Sequence, residues 1–72
     1  MLDEAVGEYV EALKTNPYYA DAYCNLGSAF IDQGRLDEAL AELEKAVKIQ
    51  RNFALAHYNI AVVYFKKGGM DD

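Results

Sequence analysis

Apolar residues recur every three to four positions along nearly the whole chain. Leu2, Ala5, Val6, Tyr9, Ala12 and Leu13 follow the i, i+3, i+4, i+7 rule and make one stripe on a first helix. Asp3 and Glu4 open that helix and Lys14 lies near its end, the order of charge that suits a helix dipole. Asn16-Pro17 stops it, because proline cannot continue the hydrogen-bond ladder. A second helix is predicted over about 19–33, with Tyr23, Leu26, Gly27 and Phe30 on one face and Gly34 supplying a left-handed C-terminal turn. The third, over about 36–50, repeats the first: Leu36, Ala39, Leu40, Leu43, Ala46 and Val47 form its stripe. Asp37 and Glu38 open it, Lys48 closes it, and Glu44 and Lys48 are spaced as an i, i+4 ion pair. The fourth, over about 53–67, carries His57, Ile60, Ala61 and Tyr64 and ends at Gly68-Gly69. No stretch alternates with period two, so no strand is predicted.

The third segment repeats the first because the chain repeats itself. A shift of 34 residues carries Leu2, Asp3, Glu4 and Ala5 onto Leu36, Asp37, Glu38 and Ala39, and Ala20, Ala22, Asn25 and Gly34 onto Ala54, Ala56, Asn59 and Gly68. Small residues, Gly27 and Ala39, fall where two antiparallel helices would cross and need close approach. Tyr23, Leu26, Gly27 and Phe30 give an aromatic–Leu–Gly–aromatic pattern, and Ala39, Leu43 and Ala46 a small–large–small one. In these features the segment ADAYCNLGSAFIDQGRLDEALAELEKAVKI closely resembles the tetratricopeptide repeat family. The resemblance implies an all-α fold of antiparallel helix–turn–helix units, a fragment of a right-handed α-solenoid. It divides the single 1–72 unit into a second helix of a preceding repeat (1–19), a complete repeat (20–53) and the first helix of a following repeat (54–72). Under it the closing GGMDD reads as the start of a further helix, and both ends read as uncapped.

Two positions depart from the family pattern. Pro17 keeps the usual proline between repeats, but Arg51 replaces it at the later junction, leaving neither Pro nor Gly between Leu36 and Lys67. A turn near Gln50-Arg51-Asn52 with Asn52 as helix cap is expected there. The alternative is one continuous 36–67 helix, which would drive a domain swap. Ala61 stands where Gly27 sits one repeat earlier, one small residue for another.

Charge and composition narrow the function. Net charge is −5 with a pI near 4.6, which argues against nucleic acid or an anionic membrane surface as partner. No apolar run approaches the roughly 20 residues of a membrane span, and the acidic N-terminal segment is unlike a signal peptide. Cys24 is the only cysteine, so no internal disulfide forms and a cytoplasmic setting is preferred. His57 is the only histidine and takes the place of Tyr23 one repeat later, a structural imidazole in this reading. Cys24 and Ser28 have no base partner, the paired carboxylates sit at helix starts, and no phosphate loop follows a strand. No catalytic residue, metal site or cofactor is therefore expected.

The remaining candidate is a surface. In a stacked helical repeat the first helix of each unit lines a concave face where partners bind. Asp21, Cys24, Asn25, Ser28, Ile31 and Asp32 are the candidates on helix 19–33. Leu55, Tyr58, Asn59, Val62, Phe65 and Lys66 are those on helix 53–67. Asn25 and Asn59 are equivalent under the repeat, similar to the asparagine ladders of some long tetratricopeptide superhelices, where amides grip an extended peptide backbone. Members that clamp a C-terminal carboxylate use lysine or arginine here; Asp21, Cys24 and Leu55 do not fit that use. The expected function is thus a non-enzymatic protein or peptide interaction module, favouring a ligand with hydrophobic side chains and some positive charge. Self-assembly into a homo-oligomer through the ends, or service as the substrate-docking arm of a larger enzyme, are the alternatives.

Overall fold

A computed structural model describes residues 2–68, with only the backbone described at Leu2 and Asp3. It contains helices α1 (Leu2–Thr15), α2 (Ala20–Asp32), α3 (Leu36–Ile49) and α4 (Ala54–Lys66), with no strand among the described residues. The expected helical start at GGMDD lies outside these residues, apart from Gly68.

Each helix stops where its local chemistry requires it. After α1, Asn16 N–H still donates to Ala12 O, and the Asn16 side-chain oxygen then accepts from Tyr18 N–H at 3.1 Å to turn the chain around Pro17. Gly34 ends α2 at φ +76°, with Arg35 N–H donating to Phe30 O at 2.8 Å and Gly34 N–H to Ile31 O at 2.9 Å. Those two bonds make a Schellman motif, and the positive φ is what calls for glycine there. Arg35 also lies 4.4 Å above the Phe30 ring and donates twice to the Glu38 carboxylate, at 2.8 and 2.7 Å. The Arg35 hydrogen bond holds the Glu38 carboxyl below its ordinary range.

The junction between α3 and α4 is a turn. Gln50 is extended (φ −130°, ψ 96°), and Phe53 N–H donates to Gln50 O at 3.2 Å. The continuous 36–67 helix is therefore not formed. Asn52 is not the cap either: Phe53 is the N-cap residue, with no side-chain hydrogen bond. No ion pair joins Glu44 to Lys48; Lys45 pairs with Glu42 instead, at 3.5 Å.

The two inter-repeat turns are braced alike. Tyr23 Oη donates to Pro17 O at 3.0 Å, and 34 residues on, His57 Nε2 lies 2.8 Å from Arg51 O. The carbonyl can only accept, so Nε2 carries the proton. His57 is thus a turn brace, the structural role its register implies.

The core lies between α2 and α3 and continues under α4. Ala39, Leu43, Ala46, Ala56 and Val63 are fully buried, joined by Leu26 and Phe30. Gly27 sets the crossing. A Cβ built on it would lie 2.6 Å from Leu43 Cγ and 3.3 Å from Ala39 O, so the helices meet closer than alanine allows. An ion pair between Lys67 and Asp37 ties the end of α4 to the start of α3.

Candidate functional site

α2 and α4 are successive first helices of the repeat, and their side chains meet across the stack. At that meeting the Asn59 amide donates to Cys24 Sγ at 3.8 Å, within the limits for a weak sulfur acceptor. Cys24 is only 1% exposed and Asn59 only 9%. Burial pushes the Cys24 thiol up; the Asn59 hydrogen bond opposes that shift and nearby Asp21 adds to it. A raised, enclosed thiol is a poor nucleophile. In this four-helix unit both side chains hold α2 to α4 and offer no surface.

The other candidates spread around this contact. Asp21, Asn25 and Asp32 on α2 are exposed, while Ser28 and Ile31 are half-buried. On α4, Leu55 is 52% exposed, Tyr58 65% and Phe65 66%; Lys66 is exposed and Val62 half-buried. Asn25 and Asn59, equivalent in sequence, thus differ in environment: one amide faces solvent, the other is spent on Cys24. The reason is the stack itself. Asn59 has a preceding first helix, α2, to pack against, whereas no described helix takes that place beside Asn25.

Leu55, Tyr58, Val62 and Phe65 stand three, four and three positions apart, which puts them along one side of α4. Three of the four, Leu55, Tyr58 and Phe65, are large apolar side chains open to solvent on that side. Asp21 and Asp32 give the α2 side negative charge, and Lys66 places one positive charge at the far end of α4.

A recess elsewhere has no residue in common with this set. Pro17, Tyr18, Tyr23, Lys45, Lys48 and Ile49 line a groove of about 500 Å³ between the 16–19 turn and the end of α3. The pattern of helical stripes gives no warning of it, because it forms from a turn and a helix end. The exposed Tyr18 directly after Pro17 was the available signal.

Among the described residues no group of three or more His, Cys, Asp or Glu side chains gathers as metal ligands would. None of the described helices is long and apolar enough to cross a membrane. No curated protein matches the chain. The family model described as TPR repeat matches residues 2–34 and again 27–68, the two overlapping spans together covering almost the whole length. With those matches laid over a helix–turn–helix stack of the same period, the chain belongs to the TPR repeat family.

Proposed function

We propose that the α2/α4 face binds an extended segment of a partner protein, with Leu55, Tyr58, Val62 and Phe65 receiving its apolar side chains. Repeats of this family generally mediate protein–protein interaction and are typically non-catalytic. The observation that carries the finer reading is the exposure of Leu55, Tyr58 and Phe65 along one side of α4. Full burial of a side chain of this size is worth about 1.5–3 kcal/mol, so the strip alone supports weak binding once association costs are met, and backbone contacts must add to it. Asn25 supplies an amide that both donates and accepts, suited to a peptide backbone. Asp21 and Asp32 favour a ligand with lysine or arginine beside its apolar residues. Cys24 and Asn59 support the face from beneath, holding α2 and α4 together. The 20–53 segment would act as the complete repeat, with 1–19 and 54–72 as flanking helices.

Titration of a labelled peptide library into the chain tests this reading. Peptides with alternating apolar and basic residues should be selected, and Phe65→Ala should weaken them roughly tenfold or more. Asn25→Ala should weaken them by a smaller factor. Selected peptides whose affinity ignores both substitutions would reject the α2/α4 assignment.

A further inference from the structure

The groove between the 16–19 turn and the end of α3 departs from the repeat that builds the rest of the chain. A shift of 34 residues carries the apolar stripe of α1 onto like residues of α3: Ala5 onto Ala39, Ala12 onto Ala46, Leu13 onto Val47. Where α3 lines the groove the match breaks down. Glu11 gives way to Lys45 and Thr15 to Ile49, while Lys14 is kept as Lys48. The core does not dictate these choices, because Lys45, Lys48 and Ile49 are all exposed. No described residue lining the groove is acidic, so a chain of net charge −5 carries a local positive site here.

The walls are held in place. Tyr23 Oη donates to Pro17 O at 3.0 Å, and Tyr18 N–H is fixed by the Asn16 side chain. Lys45 Nζ lies 5.6 Å from the centre of the Tyr23 ring and shares its charge with Glu42. Lys48 makes no ion pair among the described residues. Tyr18, 76% exposed, adds apolar surface from the turn, and Ile49 adds it from the helix end. No Cα of α1 comes within 8 Å of one in α3, so a following repeat in the same register would leave α3 equally clear.

We propose that this groove takes an acidic segment of a partner protein, with one large apolar side chain against Tyr18 and Ile49 and carboxylates on Lys48 and Lys45. An open groove of about 500 Å³ does not enclose a small molecule, whereas a chain segment can cross it with one side chain inserted. Two lysines are too few to hold a nucleic acid backbone against the net charge. That net charge does not prevent the contact. The screening length is about 8 Å at physiological salt, so Lys48 acts at contact range while more distant carboxylates are largely screened.

The test is a titration of the full chain, at about 0.15 M salt, with a labelled peptide carrying one phenylalanine between glutamates. Matched peptides replace glutamate by lysine or phenylalanine by alanine. The acidic phenylalanine peptide should bind best and shift the ¹⁵N resonances of Tyr18, Lys45, Lys48 and Ile49. Lys48→Glu should weaken it roughly fivefold or more, Ile49→Ala by a similar factor, and Lys48→Arg should restore most of the loss. Both positions are exposed, and far-UV dichroism checks that each variant stays helical. No binding, equal binding of the lysine peptide, or an affinity indifferent to Lys48→Glu or Ile49→Ala would each overturn the proposal, as would shifts centred on Tyr58 and Phe65. The basic peptides expected on the α2/α4 face should leave this groove unmoved, so the two readings stand or fall separately.

Discussion

A methyl group added at Gly27 would meet Leu43, which is itself fully buried and has nowhere to move, and the carbonyl of Ala39 behind it. Overpacking of this kind costs about 1–3 kcal/mol, and the better helix propensity of alanine returns at most about 1 kcal/mol. Gly27→Ala is accordingly expected to lower the thermal midpoint by several degrees, since about 1 kcal/mol moves a domain this small by roughly 4–8 °C. Cys24 gives a second expectation at this scale. Its thiol is pushed up from the ordinary value of 9.0, so the folded chain holds that proton more tightly than the unfolded one. The stability it contributes is complete below about pH 9 and declines as pH rises through and beyond that value. Alkylation of Cys24 should follow the same logic, proceeding only as fast as the fold opens. Rapid labelling of the folded chain at neutral pH would contradict its burial. Glu38 acts in the opposite direction: its lowered carboxyl contributes stability above about pH 4.5, which is lost as pH falls further.

Among the elements, the turn at 50–53 is the most open to improvement. Gln50 already has the extended conformation that precedes a proline, and Arg51 N–H donates no backbone hydrogen bond. Arg51→Pro should therefore stabilise the chain by about 0.4–1 kcal/mol, read as a higher denaturant midpoint with an unchanged slope. A lower midpoint would mean that residue 51 needs a φ other than proline's. The helices and the glycine stops were legible in the sequence because each depends on neighbours three to five positions away, and the 34-residue period because the same residue types recur at that spacing. The turn was legible as a place, but its cap was not: Phe53 takes a position that propensity assigns to Asn52. The burial of Asn59 was not legible either, because it depends on how α2 and α4 lie across the stack, 35 residues apart in sequence. Two identical asparagines in register looked like two identical contacts. Stacking made one a ligand candidate and the other a strut.

On the scale of the whole molecule, the described chain leaves a row of large apolar side chains exposed on α4. Leu55, Tyr58 and Phe65 lie together along one side of α4, and Asp21 and Asp32 on α2 are exposed as well. A chain of this length buries only about 60% of its unfolded surface, so covering that row with a bound segment should raise its stability measurably. The net charge of −5 favours basic partners, so added salt should weaken peptide binding. The central claim is that the α2/α4 side is where a partner segment binds. The most direct measurement is a ¹⁵N correlation NMR titration of the chain with a library-selected peptide. Shifts should concentrate at Asp21, Asn25, Asp32, Leu55, Tyr58 and Phe65, leaving Tyr18, Lys48 and Ile49 unmoved. Shifts centred instead on the groove of Tyr18, Lys48 and Ile49 would contradict the account.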